Sequence, residues 1–351
     1  MSELVRIAIK DLEAFVARAY VAVGISPAEA ANIAELQVRA DLIGADGHGV
    51  FRLPQYVRRI KGAAVNLKPN IRVEREAPGM ALVNGDNGMG HLVMRFATEK
   101  AIEKAKTVGV AWVGVQHSNH AGPASLYASM PMAHDMIGLY LAVGNANHLP
   151  PWGGIDMLLS TNPIAVAVPA DKEPPIVLDM ATTVAAYGKV KTKAQRGEMM
   201  PEGWMMDRQG RPLLDPKKSN EGFLLPIGGY KGYGLSMIIG LLAGTLNGAA
   251  NGRDVVDFNV DNTTPTNTGH VIVAINVAMF QPVAEFKQSV DAFVRDIRNS
   301  QRLPGVDAIR LPGEGSHARL QESLKLGAPL SAPLVKSLND LAAELKIPAL
   351  R

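Results

Sequence analysis

Apolar positions recur with two different periods along this 351-residue chain. In KDLEAFVARAYVAV, residues 10–23, the side chains of Leu12, Phe15, Val16, Ala19 and Val23 fall on one face of a 3.6-residue repeat. That spacing predicts an amphipathic helix ended by Gly24. Ser26, Pro27 and Glu29 then supply an N-cap, a proline at the first helical position and a reciprocal glutamate. They predict a second helix over about 27–43, and a third is expected over 53–66, with Arg58, Arg59 and Lys61 as its basic positions.

Near residue 70 the period shortens. The runs PNIRVERE, MALVNGD, GVAWVGVQ, IGLYLAVG, IAVAVPA and PIVLDMA are bounded by Gly, Pro, Asn or Asp, and each reads as a strand. Residues 91–108, rich in Ala, Lys and Glu, read as a helix between the second and third runs. HVIVAINVAMF at 270–280 is a further strand. The runs lie too close together for every connection to carry a helix, so the sheet is expected to be mixed, with antiparallel pairs. Residues 190–227, dense in Pro, Gly and Lys, are expected to form a long loop, and helices are expected over 234–248, 286–299 and 331–345, the last capped by Ser331. The result is an α/β protein without internal repeats.

Composition narrows the class. Apolar residues make up 47% and charged residues 20%, as in an ordinary globular protein, and the length fits roughly two domains. The net charge is only +3, with no run of five like charges, which gives little support to nucleic acid or membrane-surface partners. The absence of cysteine excludes disulfides, a thiolate nucleophile and Cys-ligated metals. The N-terminal stretch MSELVRIAIKDLEAF has no uninterrupted apolar core and does not read as a signal peptide. The longest apolar stretch, LSMIIGLLAGTL at 235–246, is too short to span a bilayer. A soluble cytoplasmic protein is expected.

Six stretches can carry chemistry. GADGHGVFRLPQY, 44–56, sets Asp46, His48 and Arg52 among three glycines. It is either a polar turn between helices or a site where His48 moves a proton and Arg52 holds a carboxylate. VQHSNHAGPAS, 115–125, carries His117 and His120 at a strand end, where α/β proteins place ligand contacts; a surface turn is the alternative. With no HExxH, no cysteine and no third carboxylate nearby, a metal is not expected there. Thr161 in LSTNPIAVAVP can donate to a carbonyl or carboxylate, or simply shape a turn. Asp179 in IVLDMATT can accept from sugar hydroxyls or cap the next helix. PIGGYKGYGLSMIIGLL, 226–242, places four glycines around Lys231 before a helix, which is either an anion site or a tight turn with a solvated lysine. It is neither a P-loop nor GxGxxG, and no strict GxGxxG occurs anywhere. RLPGEGSHARL at 310–320 is a loop that either lies against a ligand or serves as a connector.

Taken in order, DGHGVFR, SNHAG, TNPIA, IVLDMAT, PEGWMMD, PIGGYKGYGL and LPGE resemble the malate/L-lactate dehydrogenase family of the non-Rossmann kind. Its members also act on sulfolactate, ureidoglycolate, 2,3-diketogulonate and cyclic imino carboxylates. The resemblance runs from about residue 10 to 345. It implies a three-layer mixed-sheet dinucleotide-binding domain without the Rossmann fingerprint over 71–299, and a helical substrate and dimerisation domain from 1–70 plus 300–351. It implies hydride transfer between NAD or NADP and C2 of a 2-hydroxy or 2-oxo acid, in a homodimer. By motif, His48 matches the proton donor and acceptor, Arg52 the partner of the substrate carboxylate, and Thr161 a substrate contact. His120, Ala121, Gly122, Pro123 and Ala124 would line the junction of cofactor and substrate, and in some relatives the histidine matching His120 is itself the base. Asp179, Met180, Ala181 and Lys231 would hold the cofactor, together with Gly313, Glu314 and Gly315.

One position departs from the pattern. Most relatives carry serine immediately before the histidine, and here that residue is Gly47. The hydroxyl that helps orient the imidazole is missing, and Asp46 is the candidate to replace it. Relatives that reduce cyclic imines relay through a serine and an aspartate, and neither partner can be placed here. Reduction of a diketo sugar acid or a cyclic imino carboxylate, and an inactive nucleotide-binding relative, are the competing readings.

Overall fold

The computed structural model describes residues 4–350; residues 1–3 and 351, the outermost ends of the expected helical domain, lie outside the described residues. The chain begins with α1 (Ile9–Ala22), α2 (Pro27–Leu42) and α3 (Leu53–Lys61). The apolar face of α1 is buried at Leu12, Phe15, Val16 and Ala19. Ser26 caps α2 by accepting the Glu29 N–H. These helices share one core with the C-terminal helix (Ala332–Leu345), through Phe15, Ile33, Val57, Leu338 and Leu341. A short antiparallel pair, Leu4–Ile7 with Ala328–Ser331, ties the two ends of the chain together.

The apolar runs between them pair into one sheet. Its strands are β1 (Arg72–Ala77), β2 (Met80–Asn84), β3 (Val110–Ser118), β4 (Met136–Ala142), β5 (Ile164–Val168), β6 (Ile176–Met180) and β7 (Thr268–Asn276). The spatial order is β1-β2-β3-β7-β4-β5-β6. Only β2 and β3 are parallel, and the helix between them, α4 (Gly90–Val108), supplies the crossover that a parallel pair needs. Every other neighbouring pair is antiparallel. β7 enters the centre of the sheet from far along the chain and is covered on both faces, which explains its unbroken apolar run. One face packs α4 and α5 (Ala124–Ser129), burying Ala97, Ala101, Tyr127, Tyr140 and Ile272. The other packs α7 (Tyr230–Ala243), with Ile239 and Ala243 against Leu141, Val271 and Val273.

Three stretches differ from the expected elements. The region 190–227 is not one long loop: it holds α6 (Tyr187–Arg196) and a hairpin of Met205–Asp207 with Gly222–Leu224. Val190, Met200, Met205, Leu213 and Leu224 form a small core there. These apolar residues come in short clusters such as Met199–Met200 and Leu213–Leu214 among Lys, Gly and Pro, so no local period marks them. α3 stops at Lys61 rather than 66, because the chain passes tightly under another loop; a Cβ on Gly62 would lie 2.0 Å from the Asn262 carbonyl. α7 runs from Tyr230 to Ala243, earlier than 234–248, and a 3-10 turn follows. Two further helices, α8 (Val283–Asn299) and α9 (Glu314–Leu326), precede the C-terminal helix, which Ser331 caps.

His91 on α4 and His270 on β7 are buried in these layers. Burial pushes His270 down to about 4, and burial with the Arg95 charge pushes His91 down to about 3. In the unfolded chain both return to about 6.5, so the unfolded state binds more protons between these values. Stability is therefore lost as pH falls from about 6.5 through 4, by up to about 1.4 kcal/mol per pH unit for each group. The denaturant midpoint should fall steadily from pH 7 to pH 4.5; a flat profile would contradict the buried, neutral state of these rings.

Candidate active site

The glycine-rich stretch after α2 is held by two side chains one turn apart on that helix. Gln37 Nε2 donates to the Gly49 carbonyl at 2.9 Å, and Gln37 Oε1 accepts from Tyr20 at 2.6 Å. Asp41 Oδ2 accepts the Val50 N–H at 2.8 Å. Gly49 is needed because a Cβ there would lie 2.2 Å from the Asp41 carboxylate. Burial pushes the Asp41 carboxyl well above the usual range. On either side of these anchors the chain makes a 3-10 turn, Asp46–His48 and Val50–Arg52, and the two carry His48 and Arg52.

His48 stacks on His120, with ring centroids 5.3 Å apart and planes 13° from parallel. His120 stacks in turn on Phe258, at 4.8 Å and 9°. The Tyr56 hydroxyl, from α3, lies 2.6 Å from His120 Nδ1. Arg52 Nε donates to the Gly47 carbonyl at 3.0 Å and Arg52 Nη1 to Asn259 Oδ1 at 3.1 Å. Its guanidinium lies 5.3 Å from the Phe258 ring centre. Asp257 Oδ1 fixes Asn259 through its N–H and Nδ2 at 2.9 and 2.8 Å. The Phe258 N–H donates to the Asn145 carbonyl at 3.1 Å, and Gln55 Nε2 to the Phe258 carbonyl at 2.5 Å. Three distant segments thus converge on one set of rings.

Both imidazoles are held neutral. Burial, then the Arg52 charge, pushes His48 down to about 4. Burial lowers His120 well below its ordinary value, helped by the charges of His48, Arg52, His91 and His270. Asp46 does not orient His48: it is exposed and its carboxylate takes the Gly47 N–H at 3.2 Å. His48 Nδ1 is buried without a partner among the described residues, so ring stacking sets the orientation.

The other expected residues form an adjoining group. Thr161 follows the strand Leu159–Ser160, and its carbonyl accepts from Thr182 N and Oγ1 at 2.9 and 3.0 Å. The Ile227 N–H donates to the Thr182 carbonyl at 3.0 Å, and Asn162 Nδ2 to the Ser236 carbonyl of α7 at 2.8 Å. These bonds tie Thr161 and the stretch Asp179–Ala181 to the start of α7, where Lys231 is exposed. His120 to Ala124 make the turn from β3 into α5. Asp179 accepts the Ser125 N–H at 2.8 Å, so it caps α5, an earlier helix, rather than the next one in the chain. Gly313 packs on β6, where the Val177 N–H donates to the Pro312 carbonyl at 3.1 Å. Glu314 is committed to Arg298 at 2.9 Å and to the Leu311 N–H at 3.1 Å, and Gly315 follows it in α9. His117 is not part of the group: it is exposed and its charge acts on Glu74.

Tyr56, Phe258, Asn259 and Asn145 were not singled out from the sequence. Tyr56 lies inside the 44–56 stretch, four residues from Arg52, which is a helical turn. Phe258 and Asn259 sit in VVDFNVDN, which has neither period nor motif.

The start of α7 fits the phosphates of a dinucleotide. Gly228 and Gly229 adopt positive φ, and no side chain caps the helix. Free N–H groups beside an uncommitted ammonium suit a pyrophosphate.

Known proteins are similar to this chain in sequence and fold. A family model described as malate/L-lactate dehydrogenase matches residues 7–339. The malate dehydrogenase of Pyrococcus abyssi is 37% identical over 355 residues, covering 99% of this chain and 96% of that protein. The malate/(S)-sulfolactate dehydrogenase of Methanothermus fervidus is 38% identical, covering 93% and 94%. The solved malate dehydrogenase from Pyrococcus horikoshii OT3 superposes with a TM-score of 0.91 at 33% identity, covering 100% and 99%. The class is that of mixed-sheet dehydrogenases acting on the CH–OH of hydroxy acids. The chain belongs to the malate/L-lactate dehydrogenase family, which implies a nicotinamide cofactor.

Two glycines of the histidine loop should respond oppositely to substitution. A Cβ on Gly47 meets nothing within 4 Å, so Gly47→Ser should leave the unfolding midpoint near wild type. Gly49→Ala drives a methyl into Asp41 and should cost about 1–3 kcal/mol by chemical denaturation. Equal stabilities for the two variants would contradict the packing described.

Proposed function

We propose that this protein moves a hydride between NAD or NADP and C2 of a 2-hydroxy or 2-oxo acid. His48 transfers the proton at the substrate oxygen, and Arg52 binds the substrate carboxylate. The observation that carries this reading is the His48–His120 stack beside Arg52, all held by buried contacts from α2, α3 and the Phe258 loop. A planar guanidinium pairs with a carboxylate through two parallel hydrogen bonds and so fixes C2 in the site. The bound anion also offsets the Arg52 charge that depresses His48, raising the imidazole toward the range where it exchanges protons. The Thr161 hydroxyl contacts the substrate from the adjoining turn. Lys231 and the glycine turn take the phosphates, with Asp179–Ala181 and Gly313–Gly315 along the same edge. The nicotinamide, when bound, supplies or accepts the hydride. Imino-carboxylate reduction has less support, because Gly47 stands where a serine would precede His48.

The same reading includes a helical domain from 1–70 plus 300–351 and a sheet domain over 71–299, supported by separate apolar clusters in the two regions. It also includes a homodimer. Met237, Ile238 and Leu241 stand exposed along α7, next to Tyr230 and Trp152, and an apolar face of this kind suits a second copy. Among the described residues no helix is long and apolar enough to cross a membrane. A cytoplasmic location is in keeping with the cysteine-free composition.

Titration of NADH and NADPH by fluorescence, followed by a panel of 2-oxo acids read at the nicotinamide absorbance band, tests the activity. Turnover of at least one acid is expected, and binding without any turnover would favour an inactive relative. His48→Ala should lower kcat by about 10²–10⁴-fold while cofactor binding persists. Arg52→Lys should raise KM by about tenfold, since an ammonium cannot reproduce the bidentate pair. A His48→Ala enzyme with full turnover would remove the proton role.

A further inference from the structure

Two donors point at one nitrogen of His120. The Tyr56 hydroxyl lies 2.6 Å from Nδ1, and the Gly122 N–H lies 3.3 Å from the same atom. The amide has only a proton to offer. Burial pushes the Tyr56 phenol far above neutrality, so it too is a hydroxyl with a proton to give. A ring nitrogen facing two donors presents its lone pair, and a neutral imidazole then carries its single proton on the other nitrogen, Nε2. Turning the ring over would set a C–H against both donors. Tyr56 is itself confined, edge-on to the buried His91 with centroids 5.5 Å apart. The charges that bear on His120 are those of His48, Arg52, His91 and His270, and each opposes a second proton.

We propose that Tyr56 is a positioning residue that locks neutral His120 as the Nε2–H tautomer. His120 therefore donates a hydrogen bond to the reacting oxygen, and His48 alone carries the transferred proton. This division of labour rests on the hydride-transfer reading above. In the reducing direction a hydride from the reduced nicotinamide forms a new bond at C2. The carbonyl π pair moves to oxygen, and oxygen takes a proton from protonated His48, which becomes neutral. The nicotinamide is oxidised and the 2-oxo acid reduced. Neutral His120 cannot supply that proton, because losing it would leave an imidazolate, too basic to form near neutral pH. It polarises the carbonyl instead, from a preorganised position. In the oxidising direction neutral His48 accepts the proton.

The tautomer is read directly by nitrogen NMR of the ¹⁵N-histidine-labelled apo protein at pH 7. His120 should show a protonated-type Nε2 and an unprotonated-type Nδ1. Tyr56→Phe keeps the ring packing and removes the donor. It should shift His120 toward mixed tautomers and lower kcat about tenfold with KM little changed, the scale of one lost hydrogen bond. His120→Gln keeps an N–H donor but cannot relay a proton, so it should also lose about tenfold. His48→Gln should lose about 10²–10⁴-fold. A protonated Nδ1 in the wild-type protein overturns the proposal, and so does a His120→Gln enzyme as impaired as His48→Gln. If no 2-oxo acid is turned over, the hydride-transfer reading fails, while the NMR spectrum still decides the tautomer.

Discussion

The buried grip of α2 on Gly49 and Val50 is the constraint on which the site depends. Gln37 donates to the Gly49 carbonyl and Asp41 accepts the Val50 N–H, in a loop with only two 3-10 turns of its own. A loop of this kind is normally solvated, because its backbone groups need partners. Here the partners are inside the protein, so the loop is fixed and His48 lands on His120. The helical core around α1, α2 and the C-terminal helix is thus directly coupled to the chemistry, through Tyr20, Gln37 and the Gly49 carbonyl.

The sheet supplies the other half. β3 ends where His120 must stand, and the turn of 120–124 continues into α5, whose start is capped from β6 by Asp179. Phe258, the third ring of the stack, belongs to the loop leading into β7, and Asn145 beyond β4 holds it by its backbone. The site forms only when both cores are in place. In the free protein burial first, and then the positive charge of Arg52, keep His48 neutral. On the proposed reading an arriving carboxylate changes that field, which would join substrate binding to proton transfer by electrostatics.

The sheet strands were legible because most of them are short apolar runs with clear punctuation, and β7 carries the strongest run because it is central. The caps at Ser26 and Ser331 were legible because serine, proline and spacing act locally. His48, Arg52 and His120 stood out by residue type among glycines, yet nothing local showed that the two imidazoles stack. Phe258 and Asn259 gave no signal, since their position depends on Asn145 and Gln55, more than a hundred residues away in sequence. α6 and its hairpin were hidden for a related reason: Val190, Met205 and Leu224 lie far apart in sequence, with no shared period, and meet only after folding. Asp179 was read as an acceptor for sugar hydroxyls or a cap on the next helix; the helix whose N–H it accepts lies earlier in the chain, which sequence order did not show.

The account turns on His48 being a neutral imidazole that an anion at Arg52 brings into range. The most direct measurement is an NMR titration of His48, alone and with NADH plus an unreactive carboxylate analogue of a 2-oxo acid. In the free protein His48 should titrate near 4. In the complex its titration should move up by about one unit or more. A His48 titration that is unmoved, or moves down, on binding the carboxylate would contradict the account.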